Sequence, residues 1–207
     1  MTAFEKLILS KMRKESRCPV CVLVQEKEFS LLSHLQYSVS QHKRVRKSIA
    51  AENGFCDFHF RQFRKIANNR TNAALLLSFI EEYRKGVQRS SRNGFPKHVH
   101  CRLCDALEGY DKKLEIIMGK LLQNESRRKL YAKSSGLCLH HELAVERSLH
   151  SMEAKQWLKE TQLQQLLSRI PMLEHVVTKS YYDTSAEERG TIPSIVEKFV
   201  GRKAIGL

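Results

Sequence analysis

The sequence predicts an all-α protein of two pseudo-repeated helical units, each clipped by a Cys3His metal site. Three observations lead there. All six cysteines fall into one spacing pattern written twice. The apolar residues between them recur at helical rather than alternating intervals. Only four Pro and nine Gly occur in 207 residues, too few for a turn-rich β-sandwich.

The pattern reads C-x2-C-x34-C-x2-H in Cys18, Cys21, Cys56 and His59, and C-x2-C-x33-C-x2-H in Cys101, Cys104, Cys138 and His141. No cysteine is left over, and Gly54-Phe55-Cys56 matches Gly136-Leu137-Cys138. The chain therefore divides into an internal duplication, residues 1–92 and residues 93–207, the second carrying extra C-terminal helices. A tight C-x2-C turn aims two thiolates at one centre, and a C-x2-H pair completes a tetrahedron. These eight residues are the candidate metal ligands, and Cys3His favours zinc at two sites. A [4Fe–4S] cluster uses the same residue types and is the alternative. The competing reading is six buried structural cysteines. A redox C-x-x-C belongs in a βαβ setting, which precedes neither Cys18 nor Cys101. Ligands drawn from within each half are the simpler arrangement. The alternative pairs Cys18 and Cys21 with Cys138 and His141, locking the halves together. His140 competes with His141, and the register to His59 favours His141.

The helices follow in order. Thr2-x-x-Glu5 is a capping box opening a first helix to about Glu15, with Phe4, Leu7, Ile8 and Met12 as its stripe. Leu23, Val24, Leu31, Leu32, Leu35 and Val39 place a helix over about 22–39. A short basic helix around Val45 and Ile49 ends at Gly54. Cys56 opens a long helix carrying Phe60, Phe63, Ile66, Leu76, Ile80 and Tyr83. Lys85–Lys97, with Gly, Ser, Asn and Pro together, is the linker. The second half retraces this course: a helix from about Asp105 to Leu122, a short basic helix near Arg127–Lys133 ended by Gly136, and a long helix from Cys138. That last helix carries Leu143, Val145, Leu149, Met152, Trp157, Leu163, Leu166 and Leu167, and Pro171 interrupts it. Ser185-x-x-Glu188 caps a final helix closed by Gly201. On this layout every ligand pair sits at a helix N-terminus, where free N–H groups and the helix dipole favour thiolate.

At this point the chain resembles a prokaryotic family of unknown function with a doubled CPxC…GxCxxH frame. The resemblance rests on Cys18-Pro19-Val20-Cys21, Gly54–His59, Cys101–Cys104 and Gly136–His141, with the tail Lys179–Asp183 and Val196–Gly201. It covers almost the whole chain and implies the metal frame, but no activity.

The remaining chemistry is electrostatic. The net charge is +14, from 36 Lys and Arg against 22 Asp and Glu. Residues 1–92 hold 18 basic and 8 acidic residues (+10), and residues 93–207 hold 18 and 14 (+4). His42–Lys47, Arg61, Arg64 and Lys65 concentrate the charge, with Arg127, Arg128 and Lys129 in the second half. The N-terminal half is thus the expected face for an acidic protein or nucleic acid. No nucleotide-binding, hydrolase or metalloprotease motif occurs. A closed Cys3His site leaves no open position for a substrate water. The reading is a non-enzymatic, cytoplasmic adaptor or scaffold with no catalytic residue and no membrane segment. Electron transfer or redox sensing and non-sequence-specific nucleic-acid binding are its rivals. His34, His98, His100, His150 and His175 read as ordinary histidines, and Trp157 as core.

Overall fold

A computed structural model describes residues 1–52, 54–88, 101–179 and 184–201. Among these no strand occurs, and eleven helices are seen: α1 (Ala3–Lys14), α2 (Pro19–Gln41), α3 (Lys43–Ala51), α4 (Asp57–Ile66), α5 (Asn69–Gln88), α6 (Arg102–Leu122), α7 (Glu125–Ala132), α8 (Leu139–Ser148), α9 (Met152–Leu167), α10 (Ile170–Thr178) and α11 (Ala186–Val200). No described helix is long and apolar enough to cross a membrane. Most of the linker Lys85–Lys97 lies outside the described residues, as do His98 and His100.

Local chemistry explains the boundaries. Both predicted capping boxes are present: Thr2 and Glu5 open α1, and Ser185 and Glu188 open α11. The two long helices expected after Cys56 and Cys138 are each broken once. Ala67 turns extended (ψ 138°), and the Asn68 side chain accepts the Thr71 N–H at 2.8 Å, starting α5 afresh. Leu149 turns extended (ψ 133°), and Ser151 caps α9 through the Ala154 N–H. Each break resets the helical phase, so a stripe extrapolated across it points the wrong way. Phe63 and Leu75 are buried as that logic requires, whereas Leu76, Ile80 and Tyr83 are exposed, contrary to expectation. Leu143, Met152, Leu163 and Leu167 are likewise exposed; Val145 and Leu149 are buried as expected, and Ala154 and Leu158 join them in the core. Pro171 falls within the first turn of α10, where its missing N–H costs nothing.

The chain forms two compact units, residues 1–25 with 110–204 and residues 26–109 with 205–207. They do not coincide with the sequence halves. In the first unit, Ile8, Leu9 and Met12 of α1 pack with Leu114, Met118, Leu122, Tyr131, Val145 and Leu158. Trp157 joins this core from its edge, its ring 5.7 Å from that of Tyr131. In the second unit, Leu32, Val39, Ile49, Phe55, Phe63, Leu75 and Leu103 form the core.

Two glycines precede two of the cysteines and need their conformation. Gly54 and Gly136 have φ of +86° and +72°. A Cβ on Gly54 would stand 2.6 Å from Cζ of Phe79. Gly54→Ala is therefore expected to cost about 1–3 kcal/mol. Gly109, exposed within α6 with nothing near a Cβ, should instead stabilise by about 0.5–1 kcal/mol as Gly109→Ala. Denaturant midpoints of the two variants should move in opposite directions.

Candidate metal centres

Each ligand pair is built by one local device. Cys56 and Cys138 are the N-cap residues of α4 and α8, and Cys18 and Cys101 directly precede α2 and α6. Their carbonyls accept the first helical bonds, from Phe60, Glu142, Val22 and Asp105 respectively. The second ligand is always the third helical residue: Cys21, Cys104, His59 or His141. An N-cap side chain and an N3 side chain lie side by side, so C-x2-C and C-x2-H at a helix start present two donors to one point. Pro19 occupies the first position of α2, where proline is tolerated best.

The four pairs assemble into two sets of four. Cys18, Cys21, Cys138 and His141 lie together in the first unit, and Cys56, His59, Cys101 and Cys104 in the second; within each set the ligand atoms lie within 4.8 Å of one another. In the first, His141 Nδ1 is 3.5, 3.3 and 3.1 Å from the sulfurs of Cys18, Cys21 and Cys138, and the Cys21 and Cys138 sulfurs are 3.6 Å apart. In the second, His59 Nδ1 is 3.2, 3.3 and 3.3 Å from Cys56, Cys101 and Cys104, and the Cys56 and Cys104 sulfurs are 3.6 Å apart. These sets could each hold one metal ion.

The arrangement corrects the within-half expectation: each set takes C-x2-C from one half and C-x2-H from the other. Helix length is the reason. The 23 residues of α2 carry the chain about 35 Å from Cys18, and the nine of α3 retrace only about 14 Å. Cys56 therefore cannot return to the start of α2, and the second-half pair takes the place. His141 rather than His140 joins the three cysteines: His141 is buried among them, whereas His140 is exposed.

Close packing of the donors shifts their titration in opposite directions. Burial pushes the Cys18 thiol well up, helped by its bonds to Cys138 and Cys21. Burial and the neighbouring Cys56 and Cys101 raise Cys104 to about 12. Cys138 is held low, chiefly by hydrogen bonds from Cys18 and Cys21. In the second set burial works against a charged Cys101, but hydrogen bonds from the Cys56 and Cys104 backbone and from the Cys104 thiol outweigh it and lower the group. Burial works against a charged His141, but the hydrogen bond with Asp111 and the contacts with Cys138 and Cys21 outweigh it, raising His141 to about 12.

The surroundings hold groups that spacing alone did not single out. His141 Nε2 is 2.9 Å from Asp111 Oδ1, and His59 Nε2 is 3.7 Å from Glu28 Oε1. Burial lifts the Glu28 carboxyl to about 7. Asp111, Glu115, His140 and His141 also lie within 4.8 Å of one another. Gln162, buried in α9, accepts from the Leu137 N–H (3.0 Å) and Tyr131 hydroxyl (2.7 Å) and donates to the Leu137 carbonyl (2.9 Å), clamping the segment that delivers Cys138. Lys198 of α11 donates to the same carbonyl at 3.2 Å, and burial lowers its ammonium to about 8. Gly201 ends α11 at φ +66°, where a Cβ would lie 3.4 Å from the Cys138 sulfur. His34 and His150 are exposed, and His175 pairs with Glu188 at 3.4 Å.

Mild oxidation of the metal-free chain reads this pairing directly. Disulfides should form within Cys18, Cys21 and Cys138 and within Cys56, Cys101 and Cys104, as mapped by peptide mass spectrometry. Cys18 or Cys21 linked to Cys56 as the main product would contradict the structure.

No curated protein and no solved structure matches the chain at a significant level. A family model covers most of it, including all eight ligand positions, and leaves α11 beyond its end. Through that match over residues 7–180, the chain belongs to a family of unknown function, DUF6062.

Proposed function

We propose that the protein is a non-enzymatic zinc protein in which each Cys3His set holds one structural ion. The observation that carries this reading is the convergence, twice, of three thiols and an imidazole within 4.8 Å, the nitrogen 3.1–3.5 Å from each sulfur and one sulfur pair in each set 3.6 Å apart. A zinc–sulfur bond of about 2.3 Å in a tetrahedron places sulfurs about 3.8 Å apart, close to what the cysteines already adopt. A four-iron cluster puts each ligand on a different iron and spreads the donors much further. The spacing thus favours a single ion over the iron–sulfur alternative in electron transfer or redox sensing.

Zinc would displace the thiol protons and join two helix starts far apart in sequence, so its binding energy becomes folding energy. Zinc and three thiolates sum to −1. The helix N-termini that carry the ligands favour that charge, and at the first centre so does Lys198. The duplication read from the sequence fits this economy: one ligand frame, used twice.

The output we infer is a basic helical surface for a polyanionic partner, an acidic protein or a nucleic acid. Lys43, Arg44 and Lys47 of α3 and Arg64 and Lys65 of α4 are exposed, while Arg46 is turned to the Val39 carbonyl at the end of α2. Contacts of this kind carry affinity without reading bases. The tight packing of ligands without an open position keeps the metal out of chemistry.

Elemental analysis of anaerobically purified protein should find close to two zinc per chain and a colourless sample. Iron with acid-labile sulfide would overturn the zinc reading. Cys138→Ser should lose one zinc and deprotect residues 1–25 and 110–201 in hydrogen exchange, leaving α3–α5 protected. For the surface, affinity for a labelled nucleic acid should fall steeply from 50 to 200 mM salt, and Lys43→Ala with Arg44→Ala should flatten the slope by about two. Binding insensitive to salt would remove that partner class.

A further inference from the structure

We infer that Glu28 and Asp111 are positioning residues of the two centres, each holding the Nε2–H of the ligand histidine so that Nδ1 faces the metal. The assignment rests on the zinc reading and extends it to two carboxylates outside the Cys3His frame.

The two acids occupy one position in the sequence pattern. Glu28 lies ten residues after Cys18, and Asp111 ten residues after Cys101. Acids are 22 of 207 residues, so composition gives little reason for a carboxylate at both places. Each sits on the helix that begins with a C-x2-C pair, and each faces the histidine of the other set. Glu28 is on α2, which opens with Cys18 and Cys21, and it faces His59. Asp111 is on α6, which opens after Cys101, and it faces His141. Each carboxylate and the histidine it faces thus come from the same half, and only the C-x2-C pair of each set comes from the other.

Geometry supports the role in both places. In both histidines Nδ1 faces three sulfurs, and in both the far nitrogen faces a carboxylate oxygen, at 2.9 Å in one and 3.7 Å in the other. At the second centre the pair is buried, His59 and Glu28 being 4% and 3% exposed. Among the described residues, three buried side-chain polar atoms lack a hydrogen-bond partner, and two of them are Glu28 Oε1 and His59 Nε2, which face each other. A buried carboxylate opposite a buried imidazole is costly unless they pair. A closing movement of less than 1 Å satisfies both, and a metal drawing His59 toward the sulfurs needs the imidazole held from behind. An acceptor at Nε2 also selects the tautomer whose Nδ1 lone pair is free for metal, and its charge makes that nitrogen a better donor. At the first centre Asp111 is partly exposed, with Glu115 and His140 beside it.

The test uses the full chain with zinc, competed against a chromophoric chelator, and long-range proton–nitrogen spectra of the histidine rings. In the wild type, His59 and His141 should both show zinc on Nδ1 and a slowly exchanging proton on Nε2. Glu28→Gln should weaken one of the two zinc ions by about 10–100-fold and shift the His59 ring signals alone. Asp111→Asn should weaken the other by a similar factor and shift His141 alone. The carboxylate-keeping changes Glu28→Asp and Asp111→Glu should recover part of the affinity. A purely structural role would lower stability without this residue-specific pairing of ring signals. If Glu28→Gln fails to fold at its buried site, Asp111→Asn at its partly exposed one still decides the matter. Two zinc ions in the wild type with unchanged affinities and ring signals in both variants would overturn this assignment alone. A wild type that takes up no zinc would overturn the metal reading with it.

Discussion

Three thiols and an imidazole held within bonding distance of one point cannot all take their charged or donor forms without a cation between them. Everything else in this chain answers to that constraint. Burial pushes the Cys18 and Cys104 thiols up, while hydrogen bonds from Cys18 and Cys21 hold Cys138 low. The cysteines are themselves part of the packing, Cys18, Cys21 and Cys138 in one core and Cys101 in the other. The cores around the two sets are modest and separate. The ligand sets cross-link segments over a hundred residues apart in the first unit and over forty in the second. Cross-links of that span remove far more freedom from the unfolded chain than a local clip would.

How much of this was legible in the sequence differs by level. The eight ligands and the all-helical class follow from spacing, because N-cap and N3 side chains converge whatever the tertiary fold. The capping boxes at Thr2 and Ser185 were visible for the same local reason. The partnership of the pairs was not. Composition and spacing are nearly equal for within-half and exchanged sets, and the decision lies in the lengths of α2 and α3, which depend on where helices stop. The breaks at Ala67 and Leu149 were also hidden. Neither site carries Gly or Pro, and only Asn68 and Ser151 hint at a restart. The apolar residues beyond them, Leu76 and Ile80 among them, were consequently placed on the wrong face. Glu28 and Asp111 could have been found by aligning the two halves beyond the cysteines, since they match at the offset of the C-x2-C pairs.

The two centres use one ligand set in unlike surroundings, and the contrast separates what the frame needs from what it tolerates. Before Cys138, a polar clamp of Gln162 and Tyr131 satisfies the Leu137 backbone. Before Cys56, Phe79 stands against Gly54 instead. Either solution fixes a left-handed glycine one residue before the residue that precedes the cysteine, so the turn is the requirement and its packing is free to vary. The first centre is sealed on one side by α11, with Gly201 beside the Cys138 sulfur and Lys198 on the Leu137 carbonyl, whereas Cys104 of the second is exposed. A Cβ at Gly201 would make ordinary contact with the Cys138 sulfur at 3.4 Å, so it is the φ of +66° at the end of α11 that favours glycine there. The carboxylates follow the opposite distribution. The sealed centre has the accessible Asp111, and the open one has the buried Glu28. Each centre thus has one side shielded from water and one side in contact with it. On the proposed zinc reading, a thiolate site needs shielding enough to hold its charge and one held histidine to complete the tetrahedron, and the two sets offer both with different residues.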